Sequence, residues 1–566
     1  MKSPFASKLL KNLIDRKSRY PVIDVIMKTS ATSSDMAASL RNFPPELIEQ
    51  IIGNINKSGW LLDFALACRY FHRLTIPYLY TDIRLIYHGP WMRFPYLKPF
   101  SGHILSNPGL ASYARNFALA GCWGTDDDLS DDEISENVGH NAVIRAAVHK
   151  FSDSIDEEEE WMKDFTISSD ENAYLCLLLP SLPNLERIDL FIPERPDKFT
   201  PYFAKIMLDR IPSRKQPFDI EPAFSSLTVM IDNGGTRMFD ETLVLIPSFL
   251  RLPSLRELYC QKVDIDHLGQ MAGLSQLKTA SSSLTHLEIR ASSLSNEYLT
   301  NLLRACPKLR TFVYELGFQD SSFYKHSALE LRQALVSTEA NLENLWLDYE
   351  PGPSLWKRDD INRYLPMSSL SNFECLKNIK VGLYIFFGLA GISRTGLQNT
   401  EMSIRDHNDI IDLANILPAS IETLYFAHTN GRIRLLTQAL EKLLKQKSLS
   451  MPRLRRIAFE AYITGNEEEF DFSRLDALGE EAGVRIDRID GTALPSTSEY
   501  GWEYTPGIDY KGQGMDGSLK WAAEVAAVNE DFCPVYINAG QYLSGGPSLA
   551  RTVAPPYSEC GPYMGS

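Results

Sequence analysis

The chain reads as an α/β protein, a short helical unit followed by an array of strand–helix units. Three observations predict this. A phrase of the form Leu-x-x-Leu-x-Leu returns nine times between residues 183 and 459. Stretches with helical apolar spacing separate the phrases, as where Leu299, Leu302, Leu303 and Cys306 share one face. Residues 44–80 hold two adjacent apolar helical stretches, with more oily surface than about forty residues can hide by themselves.

The amino-terminal unit opens at Pro44 and Pro45, which follow Asn42 as a helix cap and place Glu46 at the positive end of the helix dipole. Leu47, Ile48, Ile51, Ile52 and Ile55 recur at helical spacing. Gly53 weakens this helix by about 1 kcal/mol relative to alanine. Asn56 to Gly59 forms a turn, and a second helix carries apolar side chains from Trp60 to Phe71 on nearly every side. Such a helix requires cover all round.

Phe43-Pro44-Pro45-Glu46-Leu47-Ile48, then Leu66-Ala67-Cys68-Arg69, Phe71-His72-Arg73-Leu74 and Pro77-Tyr78-Leu79-Tyr80, together resemble an F-box of the fungal type. Phe43 stands where that family usually has leucine. The resemblance implies a three-helix F-box over residues 39–85 that docks on the Skp adaptor and, through it, on a cullin ligase core. The docking residues it implies are Phe43, Pro44, Leu47, Ile48, Ile51, Leu62, Leu66 and Cys68.

At 566 residues the chain exceeds one ordinary core, so several units or an elongated array are expected. No run of eighteen apolar residues is present, so no membrane span is expected. Six Lys/Arg among the first twenty residues, without a continuous apolar core, read as a disordered basic tail over 1–38. Eight cysteines at wide, irregular spacing give neither a disulfide framework nor a zinc site. They fit reduced, buried thiols in a cytoplasmic or nuclear protein.

The formal charge of −15 gathers in Asp126 to Glu133 and in Asp153 to Glu160, which read as one solvated insertion near 124–160 inside a linker spanning 86–172. No Lys/Arg cluster of comparable density exists, which argues against nucleic acid. No nucleophile elbow or phosphate-binding loop is present, and Gly512 to Gly517 fits a dinucleotide fingerprint without the buried strand it needs. The ten histidines are scattered. Neither a catalytic residue, nor a metal site, nor a cofactor is expected.

The repeated phrase runs from Leu185-x-x-Ile188-x-Leu190 to Leu454-x-x-Ile457-x-Phe459, at intervals of roughly 25 to 45 residues, the regime of solenoid arrays. It resembles irregular leucine-rich repeats and implies such a solenoid over 173–490, with a last strand near 484–489. Residues 491–566, rich in Gly, Pro, Ser and Tyr, read as a mostly disordered tail with one short helix at 518–528. In each phrase the apolar side chains point into the core and their neighbours line the opposite face. That places Tyr259, His286, Trp346, Lys380 and Tyr425 on an exposed concave sheet as candidate target contacts. Together the resemblances imply the substrate-recognition subunit of a Skp–cullin–F-box ubiquitin ligase. The alternative is a repeat scaffold outside ubiquitination.

Overall fold

The computed structural model describes residues 44–53, 55, 58–86, 97–120, 142–167, 171–190, 209–232, 245–261, 281–292, 294–316, 328–348, 366–387, 411–427, 429, 433–461 and 471–490. The expectations for Asn42, Phe43, the acidic run at 126–133, the Gly512 motif and both tails lie outside these residues.

Among the described residues three helices come first: α1 (Pro45–Gly53), α2 (Ser58–Ala67) and α3 (Arg69–Thr81). The single helix expected from Trp60 to Phe71 is broken at Cys68, whose extended backbone (φ −166°, ψ 165°) turns the chain into α3. The break lets Phe64 and Phe71 face each other, with ring centroids 4.4 Å apart. They close a small core with Ile48, Ile52 and Leu61, ringed by Ile55, Leu74 and Tyr78. This core is separate from that of the sheet.

Twelve strands form one parallel sheet in strict chain order. They are β1 (Asp82–Ile86), β2 (Asn116–Ala120), β3 (Arg187–Leu190), β4 (Val229–Asp232), β5 (Glu257–Gln261) and β6 (His286–Ser292), then β7 (Thr311–Leu316), β8 (Asn344–Asp348), β9 (Asn378–Gly382), β10 (Thr423–Ala427), β11 (Arg456–Ala461) and β12 (Arg485–Asp490). The phrase explains why. Its first leucine, as at Leu185, Leu255, Leu309, Leu342 and Leu454, is fully buried just before the strand. The backbone then repeats one device: the Arg310 carbonyl accepts from Glu343 and Asn344 N–H at 2.8 and 2.9 Å, and the Glu343 carbonyl accepts from Lys377 and Asn378 at 2.8 and 3.1 Å. Each unit is therefore registered on the one before it.

Helices α4 (Leu97–Ser106), α5 (Ala142–Phe151), α6 (Ile155–Ile167), α7 (Glu171–Leu178), α8 (Leu245–Leu250), α9 (Asn296–Ala305), α10 (Ala328–Leu335), α11 (Ile433–Ser450) and α12 (Ser473–Ala482) share one core with the apolar face of the sheet. Ser295 caps α9, its Oγ accepting from Tyr298 N at 3.2 Å. Gly483, at φ +64°, ends α12 in the left-handed conformation. A Cβ on Gly479 would stand 2.7 Å from Ile486 Cγ1, so glycine there lets α12 close on β12.

The stretch read as a linker departs from expectation. β1 and β2 belong to the sheet, and α5 and α6 bury Ile144, Val148, Phe151, Trp161 and Phe165 in the common core. The acidic residues from 153 to 160 are not a loose solvated insertion. Arg210, 1% exposed, donates to both oxygens of Glu157 at 2.8 and 3.0 Å, and also to Asp153 and the Phe151 carbonyl. A buried cation and an aromatic stripe together hold the acidic helix down. No helix among the described residues is long and apolar enough to cross a membrane.

Candidate interaction surfaces

The amino-terminal helices leave apolar side chains uncovered. Leu47 is 39% exposed and Leu66 is 53% exposed. Pro44 is exposed, while Ile51, Leu62 and Cys68 are half-buried. Ile48 is the exception among the expected docking residues. It is fully buried in the helices' own core and offers no surface to a partner. The unit is anchored at its far end: α3 passes into β1 without an intervening residue. Arg115 N–H donates to the Thr81 carbonyl at 3.0 Å, and the Tyr80 hydroxyl shares a hydrogen bond of 3.2 Å with His103 Nε2.

The sheet face opposite the core follows register. One row reads Tyr259, Glu288, Val313, Trp346, Lys380 and Tyr425 across β5 to β10. The expectation of an exposed concave surface fails along this row. Trp346 and Tyr425 are fully buried, Lys380 is 1% exposed and Tyr259 7%. Of the five candidate contacts only His286, in the row where the strands begin, keeps a half-exposed side chain.

The reason is mutual pairing. His286 Nε2 donates to Glu288 Oε1 at 2.7 Å, and Arg290 Nε to Glu288 Oε2 at 3.1 Å. The Arg290 guanidinium lies 4.4 Å from the Trp346 ring centroid, and Lys380 Nζ lies 3.9 Å from that ring and 4.6 Å from Tyr425. The Tyr425 hydroxyl donates to Glu460 at 2.9 Å. Ion pairs on β6 lead into cation–π contacts through Trp346 and Lys380 to Tyr425, which bonds Glu460 on β11, so polar side chains stand buried where solvent was expected. Tyr259 joins at one end, donating to Glu257 at 2.8 Å, with burial the first cause of its strongly raised pKa. At the other end Tyr425, Ala427, Ala458 and Ile489 make a small apolar cluster.

The row where the strands begin stays half-exposed over Asn344, Asn378, Thr423 and Arg456. Asn378 Nδ2 donates to Asn344 Oδ1 at 2.8 Å, and Asn344 Nδ2 to Thr311 Oγ1 at 2.9 Å. Beside it runs a charged edge in which Lys377 and Glu343 pair at 2.7 Å. That pairing lowers the Glu343 pKa and raises that of Lys377. Asn344 and Asn378 were not among the candidate contacts expected from the sequence. The signal was asparagine at the same position of two successive phrases.

Among the described residues no three His, Cys, Asp or Glu side chains come together as a metal would need. The chain matches no protein-family model and no curated protein.

Proposed function

We propose that this chain is the substrate-recognition subunit of a Skp–cullin–F-box ubiquitin ligase. The amino-terminal helices dock on the Skp adaptor, and the sheet with its helices acts as a leucine-rich-repeat solenoid that holds a target protein. The ligase core performs the chemistry. This chain supplies proximity, which replaces a large entropy loss in the encounter. The observation that carries the reading is the separate helical core with Leu47 and Leu66 left uncovered, at 39% and 53% exposure. Apolar side chains at these positions on two neighbouring helices favour docking over a scaffold reading in which the same helices pack wholly inside the chain. The strict chain order of the strands, with a buried leucine before β3 to β9 and β11 and a buried isoleucine before β10, supports the repeat assignment.

The test is co-purification of the full chain with the Skp adaptor. Leu47→Glu with Leu66→Glu is expected to abolish the complex while leaving the thermal transition of the sheet in place, because both side chains lie outside the buried core. Undiminished adaptor binding by this variant would falsify the assignment.

A further inference from the structure

The sheet face opposite the core is closed along its middle row and open along the row where its strands begin. On the open row each amide is already oriented, Asn378 by Asn344 and Asn344 by Thr311. A partner meeting these groups loses little further side-chain entropy. The amide chain ends on Asn378, whose Oδ1 and second N–H have no partner among the described residues. A carboxamide with one acceptor and one donor to give is the complement of a peptide bond. Thr423 stands next to it on β10.

One strand further the surface becomes basic. Arg456 Nε and Arg485 Nε hold the two oxygens of Asp487 at 2.6 and 2.7 Å. Arg453 and Arg455 are exposed just before β11 and have no ion-pair partner among the described residues. Four arginines, Arg453, Arg455, Arg456 and Arg485, thus stand at or just before the starts of β11 and β12, where the Glu422 carbonyl accepts from Arg455 and Arg456 N–H and the Arg455 carbonyl from Arg485 N–H, in a chain whose formal charge is −15. For an acidic partner this corner is attractive against a repulsive background.

We propose that the strip from Asn344 to Arg455 docks an acidic, extended segment of a partner protein. Its backbone meets Asn378 and Thr423, and its carboxylates meet Arg453 and Arg455. This deepens the receptor reading by naming the chemistry of the target, but the strip's own chemistry stands independently of the adaptor. Nucleic acid is the poorer fit, because Glu343, Glu422 and Asp487 interrupt the basic side chains, and a regular phosphate backbone would meet them.

The test uses the purified full chain and three fluorescein-labelled probes: a peptide rich in Glu and Asp, the same peptide with lysine at the acidic positions, and a single-stranded DNA. The acidic peptide is expected to bind with salt-sensitive affinity and the lysine peptide not at all. Arg453→Glu with Arg455→Glu should weaken acidic-peptide binding by about tenfold or more. Asn378→Leu should weaken it less and leave the salt dependence unchanged. An unshifted thermal transition certifies that each variant is folded. Absent or charge-blind peptide binding, an unaffected double reversal, or tighter binding of DNA than of peptide each overturns the proposal. Adaptor co-purification on the same samples separates the two readings: peptide binding without adaptor sinks only the ligase assignment, and adaptor without peptide sinks only the strip.

Discussion

The amino-terminal helices close around five buried side chains, whereas the sheet and its helices share one core running from Ile83 to Val484. Each strand leans on the strand before and after it, so the sheet distributes its stability along the array. Among the described residues the three helices keep a core of their own and leave Leu47 and Leu66 exposed. A unit this small buries too little of itself to be robust. The difference teaches that one part of the chain is stabilised by its own repetition, while the other closes on a few side chains and leaves Leu47 and Leu66 at its surface.

The largest effect is expected within the sheet. Leu345→Ala, at a fully buried β8 position, is expected to cost about 2–5 kcal/mol and to lower the main thermal transition. If instead only β8 and its neighbours melt, with the distal strands untouched, the shared core is wrong. Phe64→Ala removes the ring packed against Phe71 and is expected to cost a similar amount, about 3–5 kcal/mol, but locally. Hydrogen exchange should quicken across 45–81 while β3 to β12 stay protected. Loss of protection in both regions would show that the helices and the sheet unfold as one unit.

A smaller effect appears at alkaline pH. Burial pushes the Cys306 thiol up to about 12 from its ordinary 9, so the unfolded chain gives up this proton first. Stability from this site is whole below pH 9 and declines between 9 and 12, by roughly 1.4 kcal/mol per pH unit. Cys306→Ala should flatten that decline, and an unchanged alkaline slope would refute the assignment. The smallest effect belongs to the surface pair. The lowered Glu343 pKa means its contribution is present above the ordinary carboxylate range and fades as acid protonates it. Being solvent-screened, Lys377→Ala should shift the acid limb of a melt barely measurably, and a large shift would show that this edge holds the sheet together.

Much of this was readable in the chain. The apolar residue before each strand from β3 to β11, the helix at 296–305 and the last strand near 485 all follow from local pattern. β1 and β2 escaped because their first apolar position is disguised, as Tyr80 before Ile83 and as Ala114 before Phe117. The fully buried Ala114 does the leucine's job with a smaller side chain. The acidic helix α6 was misread because charge density hid the apolar stripe of Trp161 and Phe165 beneath it. The sealed sheet face was illegible for another reason. Arg290, Trp346 and Lys380 lie far apart in sequence, and only strand register brings them together.

Because Thr81 is helical and Asp82 already lies in a strand, the joint between the two regions has no slack. Whatever grips the helices fixes the bearing of every strand that follows. Local concentration at the far end is then a matter of angle rather than of tether length. Splicing a few glycines between these two residues would leave both halves folded, yet it would turn a bracket into a leash.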